Sequence, residues 1–172
     1  MGLKEQVVEI LDETGFEYTT FYGCFDIVAQ KDTTLLIKVL ENVDSLQRQQ
    51  SDNLKTISSY LHATATVIGR KTRKETLNDN ILYERFDIPT MTPCTFENIL
   101  IHGVYPKLIR SRGGLFSPVN PEKLRAKRKE AGFTQEQLAE KTRLTKKSIY
   151  EHEREQKLAT VENVKLLETV LG

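Results

Sequence analysis

The sequence has no tryptophan, only two methionines and three histidines, and just two cysteines in 172 residues. Cys24 and Cys94 lie far apart with no histidine beside either, whereas metal-binding cysteines come in close pairs, so no metal centre is expected. Both read as reduced thiols in or near a core, which fits a cytoplasmic location. No apolar run approaches the ~18 residues of a membrane span. An amphipathic helix begins at once at the N-terminus, where a secretory signal needs a continuous apolar stretch. Internal repeats and low-complexity tracts are also absent. The remaining composition, 38% apolar and 28% charged, is that of a soluble globular chain of one large or two small domains.

Charge of one sign is scarce overall, since 25 Lys/Arg oppose 24 Asp/Glu. The balance is uneven along the chain. Residues 1–118 hold 13 basic against 15 acidic side chains, and residues 119–172 hold 12 against 9. Within 120–150 the ratio is 9 to 4, a local net of +5. A positive field concentrated on one segment favours an anionic partner for that segment.

Leu3, Val7, Ile10 and Leu11 fall on one helical face, and Gly15 follows as a stop. Residues 16–21 and 24–29 read as strands with a turn at Tyr22-Gly23. Residues 34–40 are almost continuously apolar, as in a strand covered on both faces. Asp44 and Gln47 have capping-box spacing, opening a helix to about His62. Residues 65–69 and 81–86 read as further strands, residues 70–80 as an exposed basic loop or weak helix, and residues 95–101 as a short helix. This alternation predicts an α/β domain over residues 1–102. Between Gly103 and Pro121 the glycines and prolines cluster, which predicts a linker over residues 103–119 with a short extended pairing at 114–119.

From residue 120 the pattern is helical. Asn120-Pro121 is an N-cap followed by proline at the first helical position. Thr134 and Gln137 form a capping box, Leu138 and Ala139 face inward, and Thr145 caps the next helix. Ile149 points into a core, leaving Lys146, Lys147, Tyr150 and Glu151 outward. Two short helices joined by a tight turn, the second opening on two lysines, is how a chain presents a helix to the major groove of DNA.

The segment 121–171 resembles the Cro/phage-repressor type of helix-turn-helix domain, an all-α, lambda-repressor-like fold. The resemblance implies that Gln135 contacts a phosphate, and that Thr145, Lys146, Lys147, Ser148, Tyr150 and Glu151 form the DNA-contacting surface. It also implies a structural ion pair between Arg128 and Glu153. Two positions depart from the family pattern: Arg143 stands at the turn position usually held by glycine, and Glu155 replaces a frequent glycine after the recognition helix.

In the first domain, Asp26 lies in one strand (Cys-Phe-Asp-Ile-Val-Ala) and Lys38 in the next (Leu-Leu-Ile-Lys-Val-Leu). This resembles the PD-(D/E)XK fold of restriction endonucleases and Holliday junction resolvases. There, an Asp and an acidic-x-Lys hold Mg²⁺ and a water nucleophile, and a hard cation needs both carboxylates. Here the acidic position is Leu36, which shares a face with Lys38 and Leu40. Glu41 should face away, and Glu9 or Glu13 on the first helix is a weaker substitute. Asp26 and Lys38 are therefore read as vestigial, with no cofactor and no catalysis expected.

Over nearly its whole length the chain is similar to a family of archaeal HTH-type transcriptional regulators. The similarity is carried by Phe25-Asp26-Ile27-Val28, by residues 37–44, by Tyr83–Pro89 and by Arg112-Gly113-Gly114. Members continue well past the helix-turn-helix, which implies a truncated form or a short relative. The expected function is sequence-specific binding of double-stranded DNA by a homodimer, with the nuclease-like domain dimerising, gripping DNA or sensing an effector. The competing expectations are a Mg²⁺-dependent nuclease or junction resolvase with a relocated carboxylate, and a helix-turn-helix that binds a transcription-machinery protein.

Overall fold

A computed structural model describes all 172 residues and divides the chain into two compact units, Met1–Pro106 and Lys107–Gly172. No helix is long and apolar enough to cross a membrane.

The first unit begins with α1 (Leu3–Glu13), which buries Leu3, Val7, Ile10 and Leu11 and ends at Gly15 with φ +73°. The chain then forms β1 (Glu17–Thr20), β2 (Ile27–Gln30) and β3 (Thr34–Asn42), paired antiparallel in sequence. A 3-10 turn at Val43–Ser45 leads to α2 (Arg48–Leu61), and β4 (Thr64–Lys71) returns parallel to β3. The hairpin of β5 (Ile81–Arg85) and β6 (Ile88–Met91) places β6 parallel to β4, and α3 (Pro93–His102) closes the unit. Within the unit the strand order is β1-β2-β3-β4-β6-β5.

This sheet has a core on each face. Leu35 and Ile37 pack with α1 and with Phe96 of α3, while Leu36 and Val67 pack on the opposite face with Leu54 of α2. The unbroken apolar run of β3 is thus explained: alternate residues serve opposite cores, so neither parity can be polar without a partner.

Three expectations for this unit are corrected. Asp44 does not cap α2. It sits in the 3-10 turn and accepts from the Arg73 N–H and the Arg85 guanidinium, while the Gln47 N–H donates to Gln50 Oε1 at the true helix start. Asp26 lies just before β2 rather than mid-strand, although its N–H still donates to Ile37 O at 2.8 Å. Strand β6 was hidden by Pro89, since proline argues against a central strand. It is reached through Phe86 and Asp87, both at positive φ, as a two-residue primed turn requires.

The second unit contains β7 (Leu108–Ser111) and β8 (Gly114–Val119), a hairpin turning at Gly113 with φ +96°. Then come α4 (Pro121–Glu130), α5 (Gln135–Thr142), α6 (Lys146–Arg154), β9 (Lys157–Thr160) and α7 (Val161–Leu171). Strand β9 pairs antiparallel with β8, from Phe116↔Thr160 to Val119↔Lys157. The unit is therefore not all-α as the lambda-repressor-like expectation had it. The extended pairing expected at 114–119 is present as β8, and Leu108–Ser111, expected as linker, is its partner β7. Pro118, which cannot donate, lies past the β7 pairing, where β9 is its paired neighbour within this unit. The helices enclose Leu124, Leu138, Ala139, Ile149 and Leu167, and the strands add Val119 and Ala159.

Candidate nucleic-acid interface

Each helix of the second unit starts on a side-chain cap, which fixes where its first turn lies. Asn120 Oδ1 accepts from the Lys123 N–H, Thr134 Oγ1 from Gln137, Thr145 Oγ1 from Ser148 and Thr160 Oγ1 from Asn163, at 2.9–3.2 Å. Such caps typically contribute ~1 kcal/mol each. The capping box is completed by the Thr134 N–H donating to Gln137 Oε1 at 2.9 Å. Between α5 and α6 the chain reverses through Arg143 in the left-handed region (φ +57°, ψ +24°). A side chain there costs roughly 1 kcal/mol relative to glycine. The turn is made with arginine all the same, and the Leu144 N–H closes it on Ala139 O at 3.0 Å.

Ala139 is buried at the α5–α6 crossing, and Ile149 of α6 is fully buried against the same core. With Ile149 inward, Thr145, Lys146, Lys147 and Tyr150 are exposed, and Ser148 and Glu151 are half-buried. These six form one end and one face of α6. Acidic neighbours engage the two lysines: Lys146 Nζ pairs with Glu136 on α5, and Lys147 Nζ lies 4.0 Å from Glu151. Glu151 also takes Lys157 Nζ at 3.2 Å, and Arg154 stacks over the Tyr150 ring at 5.8 Å. The hydrogen bond from Lys146 holds the Glu136 carboxyl below its ordinary range, and the bonds that Lys157 donates to Glu151 and Glu155 hold its ammonium above its own.

Behind this face, Arg128 on α4 and Glu153 on α6 form a two-pronged pair, Nε–Oε1 at 2.5 Å and Nη2–Oε2 at 3.0 Å. Arg128 Nη1 also donates to Phe133 O at 2.8 Å, and Arg125 Nη2 to Glu153 O at 2.8 Å. Burial alone would raise the Glu153 carboxyl, but the hydrogen bonds from Arg128 and Gln135 and the nearby arginine charges outweigh it and hold it low. Gln135 is half-buried with its Nε2 donating to Glu153 Oε2 at 2.9 Å. It is thus drawn into the brace through one of the two N–H donors its amide carries. Glu136, Arg125 and Lys157 are participants that sequence reasoning missed. The Glu136–Lys146 pair spans a turn, so no helical spacing rule reveals it. His152, also on α6, is 7% exposed with Nδ1 unpartnered, and its pKa is pushed down by burial and by Lys157, opposed in part by Glu151.

In the first unit, Lys38 is buried and its Nζ donates to Gly23 O at 2.8 Å and Asp26 Oδ1 at 3.3 Å. The other carboxylate oxygen, Asp26 Oδ2, accepts from the Val39 N–H at 2.7 Å. Leu36 is fully buried among the apolar side chains packed on α2. Glu41 is turned to Arg70, 3.1 Å away, and no group of three His, Cys, Asp or Glu side chains gathers anywhere. Glu9 and Glu13 both lie on α1.

Residues 1–106 match the PD-(D/E)XK superfamily domain, and residues 124–172 match a helix-turn-helix domain. The chain is 32% identical over 170 residues to a "Putative HTH-type transcriptional regulatory protein" of Methanothermobacter thermautotrophicus, covering 97% of this chain and 55% of that protein. Identically described proteins of Pyrococcus furiosus (33%; 97% and 56% covered) and Methanocaldococcus jannaschii (36%; 88% and 48% covered) are similar. The chain spans about half the length of the curated relatives it matches. No solved structure matches it. The chain thus belongs, by its first unit, to the PD-(D/E)XK superfamily, and joins that domain to a helix-turn-helix.

Proposed function

We propose that the chain is a DNA-binding transcriptional regulator that reads duplex sequence through α6 and acts as a homodimer. The observation that carries this is the exposed start of α6, with Thr145, Lys146, Lys147 and Tyr150 on one solvent face and a buried Arg128–Glu153 brace behind it. Lysines so placed donate to phosphates or to guanine O6/N7, and a helix held from behind keeps its register in the groove. The names of the archaeal relatives support the same reading. Two copies are invoked because one helix-turn-helix covers few base pairs, and paired half-sites a helical turn apart multiply specificity. The first unit then serves dimerisation, a grip on DNA or the sensing of an effector.

Selection of bound duplexes from a random pool, followed by titration of the winners, tests this reading. A palindromic site, and affinity lost on Lys146→Ala or Lys147→Ala with folding intact, are expected. Unchanged affinity in both variants removes α6 as the reader.

The second reading is a Mg²⁺-dependent nuclease or junction resolvase, favoured by the retained Asp26 and Lys38 in a superfamily of nucleases. Against it, both oxygens of Asp26 are engaged by the chain itself, and Leu36 occupies the second carboxylate's place. Cleavage of linear or branched DNA with Mg²⁺ or Mn²⁺, abolished by Asp26→Ala, decides for it; no cleavage decides against it.

A further inference from the structure

The first unit is acidic, with 10 Lys/Arg against 15 Asp/Glu over residues 1–106, yet four of its ten bases fall in Arg70-Lys71-Thr72-Arg73-Lys74. This run forms the end of β4 and a tight hairpin beyond it. Lys71 bridges Thr76 in antiparallel fashion, the Thr72 N–H donates to Glu75 O at 2.8 Å, and the Leu77 N–H donates to Arg70 O at 2.8 Å. Thr72 Oγ1 accepts from the N–H groups of Lys74 and Glu75 at 3.1 and 3.0 Å. The tip is tied down from outside as well: the Arg73 N–H donates to Asp44 Oδ2 at 2.8 Å, Asp44 is paired with Arg85, and Leu77 is buried beneath.

The backbone of the loop is therefore satisfied and fixed, while its cationic heads are not. Arg70 is engaged by Glu41 and Gln6, but Lys71, Arg73 and Lys74 are exposed and make no ion pair. Lys38, Arg85, Arg128, Lys146 and Lys157, by contrast, all hold carboxylates. A rigid turn whose ends lie less than about 7 Å apart brings three long cationic side chains within reach of successive phosphates. Residues 70–76 contain no apolar side chain to insert into a bilayer, so a lipid surface is the poorer match. A loop tip is also not an element shaped to fill a groove, so it would touch the sugar-phosphate backbone rather than the bases.

We infer that the 71–74 hairpin is a second, sequence-independent DNA-binding site, a phosphate clamp by which the nuclease-like unit grips duplex DNA. The inference rests on the reading of the chain as a DNA binder. Its test is anisotropy titration of the full chain against a random-sequence duplex over a range of KCl concentrations. Wild type is compared with Lys71→Ala/Arg73→Ala/Lys74→Ala and with Lys146→Ala/Lys147→Ala, each checked for an unchanged thermal melt. The hairpin variant should show a slope of log K against log salt shallower by about 2–3, at ~0.9 for each phosphate no longer neutralised. The α6 variant should keep that component. Lys74→Glu alone, expected to weaken binding in the same direction, serves if the triple variant does not fold.

Wild-type binding that the hairpin variants reproduce in affinity and slope overturns this inference alone. No salt-dependent binding of wild type to any duplex sinks the regulator reading and this inference together. A hairpin-dependent association with phosphatidylserine vesicles, with duplex binding untouched, also overturns it.

Discussion

Asp26 and Lys38 meet at 3.3 Å, and each holds a further backbone partner. Lys38 is shared between Asp26 Oδ1 and Gly23 O, and the second Asp26 oxygen is taken by the Val39 N–H. A pair that holds metal and water in active nucleases here pins the β1–β2 connection to β3. Both side chains are largely buried, at 10% and 16% exposure, so the pair's cohesion matters more than its attraction at long range.

Asp26→Ala should therefore act on stability. It strands a buried ammonium and removes the acceptor for Val39, at an expected cost of about 2–4 kcal/mol in urea denaturation. Mg²⁺ should leave the wild-type melting temperature where it is. A loss below ~0.5 kcal/mol would mean the pair is dispensable, and a Mg²⁺-dependent rise in melting temperature would reopen the metal site.

The brace of the second unit makes a sharper prediction because Glu153 is 3% exposed. Glu153→Leu alone should cost about 3–5 kcal/mol by leaving Arg128 unpaired in a buried setting. Adding Arg128→Met should restore much of that loss, since a buried pair and a packed apolar substitute are often equivalent. A double-mutant cycle with no coupling would contradict the geometry described above.

If Lys146 contacts DNA as proposed, Glu136 competes for it. In Glu136→Gln the lysine is released from its carboxylate, and duplex affinity should rise roughly two- to fivefold, the range of an exposed pair. The gain should be larger at low salt. If affinity instead falls or stays level in the same titration, Lys146 is not a DNA contact.

His152 gives the helix-turn-helix a pH dependence. Its folded pKa is depressed by burial and Lys157, so the unfolded chain binds the proton more readily. The stability contribution is full above the unfolded value of ~6.5 and is lost as pH falls from there through the depressed folded value. Melting temperature should decline between pH 7 and pH 5 in wild type and decline less in His152→Leu. Equal pH profiles in the two proteins would exclude His152 as the origin.

The sequence was most readable where local chemistry decides structure. The caps at Asn120, Thr134 and Thr145 show themselves by spacing, and so do the buried stripe of α1 and the apolar run of β3. Arg128 and Glu153 were expected as partners from family resemblance, and they meet. What could not be read depends on non-local partners. Asp44 looks like a helix cap until Arg85, 41 residues away, claims its carboxylate. Strands β7 and β9 are only four residues long, and β9 finds its partner, β8, on the far side of three helices. In the candidate interface, the hydrogen bond from Gln135 to Glu153 joins residues 18 positions apart, which no local spacing reveals.

The β8–β9 pairing bears on how the helix-turn-helix can be cut free. Residues 114–119 and 157–160 close a ring around α4, α5 and α6, so the helical unit has its chain ends clasped rather than trailing. A fragment beginning at Asn120, where the helical pattern starts, discards one half of that clasp and exposes Ala159 and the edge of β9. One beginning at Lys107 retains the clasp. A helix-turn-helix fragment that keeps the clasp therefore starts a dozen or so residues before its first helix.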